Sequence, residues 1–281
     1  MTYSNSHFVI GSTHKVCQDY AWAGNLLGMD VAIISDGCSS SSHTDFGARF
    51  WVQGAKNQLK HMGHKFNIHA VGSEVTNIAY NMELPLECLD ASLIVAFLME
   101  IEDRKYIKVI VTGDGVIAAR KRNSTDFDYY KIDYSNNAPA YMNYTLNPFR
   151  LEEFFNPGVD FPLPTGVRST QSNVGDLEDE NLDPKDRDSF CQTHLFPADE
   201  YDLILLCTDG VDSFQCLEPR GEILPVHFTE VLHHLMQVKQ PRGEFITRRM
   251  QKFLGSFCKK NNWTHTDDLA VAGIYIEGEE S

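Results

Sequence analysis

The chain has 281 residues, 42% of them hydrophobic and 22% charged, with a formal net charge of -15. Apolar residues recur along the whole length, which excludes an extended disordered chain. The acidic balance opposes binding to nucleic-acid phosphates, which requires clustered Lys and Arg.

In chain order, short runs rich in Val and Ile predict buried strands at Phe8–Ile10, Val31–Ile34, Leu93–Phe97, Ile107–Val111, Leu203–Cys207 and Leu269–Tyr275. Between them, Thr44–Met62 places Phe46, Phe50, Trp51, Ala55, Leu59 and Met62 at helical spacing, with Thr44 as N-cap. A second helix is expected over Gly72–Met82. Two more, Val226–Val238 and Glu244–Lys260, precede the last strand. Lys105–Val111 and Val116–Arg120 flank Gly113-Asp114-Gly115, a spacing that predicts a hairpin and an antiparallel component. The elements therefore indicate a mixed helix-and-sheet fold with antiparallel pairing.

From Ser135 to Glu200, seven prolines interrupt the pattern, at 139, 148, 157, 162, 164, 184 and 197, and an irregular insertion is expected. Its first half is aromatic. Its second half holds Asp176–Asp188, where seven acidic and two basic residues account for a third of the net charge. No repeat and no dividing linker is visible, so residues 1–281 are read as one domain.

Seven cysteines, at 17, 38, 88, 191, 207, 216 and 258, form no CxxC pair and no zinc-like spacing, which reads as reduced thiols. The N-terminus lacks a basic start followed by an apolar run, and no segment reaches the roughly 20 apolar residues of a membrane span. A cytoplasmic monomer without membrane association is expected.

The informative recurrence is acidic. VAIISDG ends at Asp36-Gly37, KVIVTGDG at Asp114-Gly115 and LILLCTDG at Asp209-Gly210, while Asp267-Asp268 opens the apolar run of TDDLAVAGIYI. If that last strand runs antiparallel to the others, one rim collects four acidic groups. Asp-Gly after a strand is also an ordinary turn signal, and for Asp114 that reading stands beside the functional one. Converging carboxylates need a compensating cation or raised pKa values. Hard oxygen donors favour Mg²⁺ or Mn²⁺ over zinc, and two such ions about 3.5–4 Å apart can activate a bridging water for phosphoryl transfer.

Taken in order, GSTHKVCQDY, VAIISDGCSSSSHTDFGARF, ASLIVAFLM with VTGDGVIAARK, LILLCTDGV and TDDLAVAGIYI resemble the protein phosphatase 2C family of metal-dependent serine/threonine phosphatases. The resemblance covers most of the chain. It implies an α+β fold, a four-layer α/β/β/α sandwich of two mainly antiparallel sheets flanked by helices, with a two-metal centre at one end. By position, Asp36 is similar to the carboxylate that bridges both ions and Gly37 to the residue lending a backbone carbonyl. Asp209 and Asp267 match the remaining ligands, and Asp114 matches a ligand for a third, weaker ion. Asp19 resembles the outer acid that orients metal-bound water. Asp268 stands where many members have Asn, and is expected to bind backbone or a water on the phosphate side.

Two departures follow. His14 occupies the place of a phosphate-gripping arginine and carries charge only near or below its pKa, or else simply caps the first strand. Cys38 replaces a histidine proposed as general acid. His43 is a substitute for it, although a helix-start histidine beside a polar turn reads first as solvated, and Cys38 itself reads as packing. The expected activity is hydrolysis of phosphoserine or phosphothreonine in a partner protein. A pseudophosphatase that binds phosphoproteins and a small-molecule phosphomonoesterase are the alternatives. The segment 135–200 is expected to act as a flap beside the site.

Overall fold

The computed structural model describes residues 1–134, 138–156, 167–171, 175–178 and 186–278. Strands β1 (Thr2–Val9), β2 (Asp19–Leu26) and β3 (Met29–Gly37) lead into helices α1 (Thr44–Met62) and α2 (Ile68–Asn81). Four strands follow: β4 (Ala91–Ile101), β5 (Arg104–Thr112), β6 (Gly115–Lys121) and β7 (Phe127–Tyr134). Short helices α3 (Met142–Leu146) and α4 (Pro148–Phe155) precede β8 (Val167–Gln171), β9 (Gly175–Glu178), β10 (Gln192–Pro197) and β11 (Tyr201–Cys207). The chain ends with β12 (Phe214–Leu217), β13 (Ile223–Pro225), α5 (Phe228–Met236), α6 (Phe245–Lys252), β14 (Trp263–His265) and β15 (Leu269–Ile276).

Two large sheets face each other, ordered β1-β15-β11-β6-β7-β8-β9 and β10-β5-β4-β3-β2, and β12 joins β13 and β14 in a small third sheet. Every strand pair is antiparallel. Period-two alternation builds the layers. Ile117, Ala119, Ile204, Leu206, Ala270 and Ala272 share one core with the five-stranded sheet, α1 and α2. Their sequence neighbours Val116, Ala118, Leu203, Leu205 and Val271 pack instead against α5 and α6. Helices thus cover the outer face of each sheet, as the family likeness implies. Among the described residues no helix is long and apolar enough to cross a membrane.

Helix α1 has the expected bounds but a narrower apolar stripe. Ala48, Trp51, Val52, Ala55 and Leu59 are buried, whereas Phe46 and Met62 at its ends are exposed. Thr44 is the first helical residue rather than the N-cap, which is His43 in a left-handed conformation (φ 59°). The Thr44 hydroxyl donates instead to the Cys38 carbonyl at 3.0 Å, closing the loop after β3. Helix α2 begins at Ile68, four residues before the expected start, because Asn67 caps it by accepting from the His69 and Ala70 amides.

The expected hairpin around Asp114 is not formed. β5 pairs with β4 and β10 in one sheet, and β6 pairs with β7 and β11 in the other. Gly113 (φ 76°) and Gly115 (φ 139°) supply the positive φ values that turn the chain from sheet to sheet. The Gly-Asp-Gly signal reports a sharp change of direction and not which strands pair. The segment 135–200 is also more ordered than expected where it is described, with α3, α4, β8, β9 and β10; the rest of it lies outside the described residues.

Arg120 ties the layers together at the end of the seven-stranded sheet away from Gly115. Its guanidinium meets both Asp202 oxygens, at 2.8 and 3.1 Å, and donates to the carbonyls of Met236, the last residue of α5, and of Val238 just beyond it. Both partners are nearly buried, at 12% and 13% side-chain exposure, so removing one leaves the other charge unpaired. Arg120→Met should therefore lower unfolding free energy by about 3–5 kcal/mol. A denaturant titration showing a loss below about 1 kcal/mol would reject this role.

Candidate active site

The sandwich brings its acidic residues to one end. Asp36 lies at the end of β3, directly opposite Asp19 in the β2–β3 register. From the facing sheet, β11 delivers Thr208 and Asp209, and Asp209 opens a short helical turn that ends at Asp212. Asp114 sits at the crossover between sheets, and Asp267 precedes β15.

Asp19 is buried, while Asp36, Asp114, Asp209 and Asp267 are each partly open to solvent. Carboxyl–carboxyl hydrogen bonds link Asp36 to both Asp19 and Asp209, so the contact bridges the two sheets. Burial, followed by the charges of Asp19, Asp209 and Asp114, pushes Asp36 well above the usual carboxylate range. Burial and then the Asp209 charge do the same to Asp114. Asp209 is raised by burial and by the charges of Asp267, Asp212 and Asp133, against the opposing hydrogen bond from Asp36. Burial lifts Asp19 to about 7, although it accepts hydrogen bonds from Asp36 and, at 2.6 Å, from the Thr208 hydroxyl. The Ala270 amide donates to Thr208 Oγ1 at 2.9 Å, so Asp19 is fixed through the facing sheet.

Asp268 behaves differently from its neighbour. Its two oxygens accept from the Gly11 and Gln18 amides at 2.7 and 2.6 Å, pinning both ends of the loop 11–18 to the start of β15. That is the expected backbone role. The approach is close enough that a Cβ on Gly210 would lie 1.7 Å from the Asp268 carbonyl oxygen, which requires glycine after Asp209. His14, within the same loop, places Nε2 3.4 Å from Asp267 and Nδ1 3.1 Å from Asp268. Burial alone would lower its pKa, but the Asp268 hydrogen bond and the charges of Asp268, Asp267 and Asp19 raise it overall.

Beyond Asp36, Cys38 Sγ lies 3.0 Å from the Ser40 hydroxyl, and His43 is exposed. Buried Asp90 anchors this loop by accepting from Ser41 at 2.8 Å. Asn143 also donates to it at 2.8 Å, and Arg150 pairs with it, so α3 and α4 are fastened beside the site. Tyr141, just before α3, faces Asp114, Cys38 and Asp36, and burial followed by the Asp114 charge keeps its phenol protonated.

Three neighbours escaped the sequence reading. Lys131 Nζ lies 2.5 Å from Asp212 and 3.6 Å from Asp133, and both acids raise the Asp209 pKa. Asp212 follows Asp209 by three residues, a spacing that places it on the same side of a helical turn. Lys131 and Asp133 lie two apart on β7, a strand that carried no predicted element.

Hard oxygen donors gathered at a solvent-open rim fit a divalent cation by chemistry. Among the described residues no three of these groups form a ready-made metal cage. The same carboxyls satisfy one another by sharing protons, which is the other way a low-dielectric cluster is neutralised. This has a consequence for stability. The folded metal-free chain retains protons that unfolded aspartates release above about pH 3.9, so its stability should fall as pH rises from there toward about 7, the raised value of Asp19. Asp36→Asn should stabilise the EDTA-treated protein at pH 7 and flatten that slope. Thermal melts in which the wild type gains stability over this interval relative to Asp36→Asn would reject the account.

Comparison with known proteins bears on the family and the fold. The family model described as protein phosphatase 2C matches residues 11–255. A bacterial serine phosphatase structure aligns over 100% of both chains at 12% identity, with a TM-score of 0.58. The serine/threonine phosphatase Stp1 from Staphylococcus aureus aligns over 99% of this chain and 96% of its own, at 12% identity and a TM-score of 0.55. The S. agalactiae serine/threonine phosphatase covers 99% and 100%, at 13% identity and a TM-score of 0.52. A comparison with curated proteins gave no match. With the family match spanning most of the sequence and the sandwich fold shared throughout, the chain belongs to the protein phosphatase 2C family of metal-dependent serine/threonine phosphatases.

Proposed function

We propose that the chain hydrolyses phosphoserine and phosphothreonine in a partner protein, using two divalent ions, Mn²⁺ or Mg²⁺. Asp36, the Gly37 carbonyl, Asp209 and Asp267 would hold them, and Asp114 is a candidate ligand for a third. The observation that carries this reading is the cluster itself, in which carboxyls from both sheets are held together with raised pKa values. When bound, such ions supply Lewis acidity and lower the pKa of water to make a nucleophile near neutral pH.

The remaining work falls to the chain. Asp19, fixed by Thr208 and opposite Asp36 in the β2–β3 register, would orient the attacking water. The Gly37 backbone is pressed against α1, where a Cβ would lie 2.6 Å from the Thr44 carbonyl, so its own carbonyl is held in place. His14 supplies positive charge at the mouth for the substrate phosphate, more so as pH falls. The unpaired thiols of all seven cysteines support a cytoplasmic setting.

One observation favours a second reading. Both His14 ring nitrogens lie against carboxylates, so its charge is largely compensated before any phosphate arrives. A pseudophosphatase that binds phosphoproteins without turnover would show this feature. With excess Mn²⁺, the wild type should release phosphate from phosphoserine and phosphothreonine peptides, and Asp209→Asn should reduce this by roughly 10²-fold or more. Asp19→Asn should weaken metal affinity by about 10–100-fold. Tight peptide binding without release at any pH would establish the pseudophosphatase, and a strong preference for a small phosphate ester would overturn the protein substrate.

The segment 135–200 is proposed as a flap, supported by the fastening of α3 and α4 to Asp90 beside the site. Replacing residues 157–166 by a short Gly-Ser linker should alter peptide selectivity more than turnover of a small aryl phosphate. Equal losses on both substrates would count against a flap.

A further inference from the structure

The chain is strongly acidic, yet one concavity is lined without a single carboxylate. It lies on the helical side of the seven-stranded sheet, between the C-terminal end of α5 and the length of α6, an open groove of about 540 Å³. Small-molecule sites typically fall between about 300 and 1,000 Å³. Five cations line it: Lys239, Arg248, Arg249, Lys252 and Lys260.

None of the five forms an ion pair among the described residues. Arg248 donates to the Gln240 and Arg242 carbonyls at 2.9 and 2.6 Å, and Arg249 donates to the His234 carbonyl. Neutral carbonyls fix these guanidiniums without cancelling their charge. Immobile, uncompensated guanidinium is suited to phosphate, whose oxygens match its planar fork.

His234, Phe245, Phe253 and Phe257 add aromatic rings to the lining. Phe257 packs on His234 with ring centroids 3.8 Å apart and stands edge-on to Trp263 at 5.1 Å. Burial, then the Arg249 and His233 charges, lower the His234 pKa, so its ring adds a neutral flat surface. The wall carrying Phe253, Ser256 and Phe257 is a π-helical turn, Phe253–Cys258, continuing α6. Such turns are rare and concentrate at functional sites.

This groove is separate from the acidic site. Helix α5 starts at Phe228, whose ring lies 5.3 Å from Lys131 near the carboxylates, and ends at Met236, whose carbonyl meets Arg120. Gly115 and Arg120 are five residues apart on β6, roughly 17 Å at about 3.4 Å per residue.

We propose that the groove binds a nucleoside di- or triphosphate, with its phosphates on Arg248, Lys252 and Lys260 and its base against Phe257. Cations alone would serve any anion. Aromatic rings beside the cations in one groove favour an anion with a planar ring, because each base–aromatic stack contributes about 1–3 kcal/mol. An extended acidic peptide would leave those rings unused.

Isothermal titration of the purified full-length chain in excess Mg²⁺ tests this with ATP, GTP, tripolyphosphate and hexaglutamate as probes. One equivalent of ATP or GTP should bind. Lys252→Glu with Lys260→Glu, both exposed positions, should weaken it at least about tenfold, while leaving aryl phosphate turnover unchanged. Phe257→Leu should weaken ATP or GTP but not tripolyphosphate. Lys60→Glu, on α1 across the molecule, should have no effect. The proposal is overturned if no nucleotide binds, or if the double reversal leaves binding intact, which would place the nucleotide at the acidic site. It is equally overturned if Lys60→Glu causes the same loss, if hexaglutamate outcompetes ATP, or if tripolyphosphate binds as tightly as ATP.

Discussion

The repulsion among Asp19, Asp36, Asp114 and Asp209 is the constraint around which this sandwich is arranged. Asp36 and Asp209 belong to opposite sheets, so their contact exists only when the sheets are closed on each other. Burial of Ile33, Ile34, Ile117, Ile204 and Leu206 between and beneath them drives that closure. Asp268 adds a different restraint, spending both oxygens on the amides of Gly11 and Gln18 and so fixing the loop that carries His14. An acid that serves the backbone thus stands beside Asp267, an acid left open at the rim.

The strand-end aspartates were legible because each follows or precedes a fully apolar run, and such runs lose their alternatives once buried. The crossover at Asp114 was not, since Gly113-Asp114-Gly115 looks the same whether the chain returns along its own sheet or passes to the facing one. Only the partners of β5 and β6 decide that, and they are distant in sequence. β2 and β7 were missed for a related reason. DYAWAGNL and FDYYKIDY mix charged, aromatic and small residues, because each lies partly exposed and gains its stability from neighbours rather than from its own hydrophobicity. The loss of β7 hid Lys131 and Asp133, and with them the cation at the flank of the site.

Charge is segregated more sharply than the net value of -15 suggests. One end of the sandwich gathers carboxylates, whereas the groove at the far end of α5 and α6 gathers Lys239, Arg248, Arg249, Lys252 and Lys260, none of which forms an ion pair among the described residues. Such separation creates local potentials of opposite sign on one small molecule, and anions are drawn to the second region even though the whole protein repels them. Net charge therefore opposes a nucleic-acid backbone as partner but does not bear on a compact phosphate ligand.

Lys131 shows why the acidic end need not be uniformly negative. Its ammonium lies between Asp212 and Asp133 and against the Phe228 ring, with burial opposing its charge and Asp212 restoring it. One positive charge is thereby shared between two of the acids around Asp209 and offsets them in part. Asp36, Asp114 and Asp209 have no such cation beside them among the described residues and, with raised pKa values, share protons instead. Which acids are paired by the chain is set at the level of single residues and not by how many aspartates lie nearby, so Asp-Gly signals pointed to the acidic rim but could not draw its boundary.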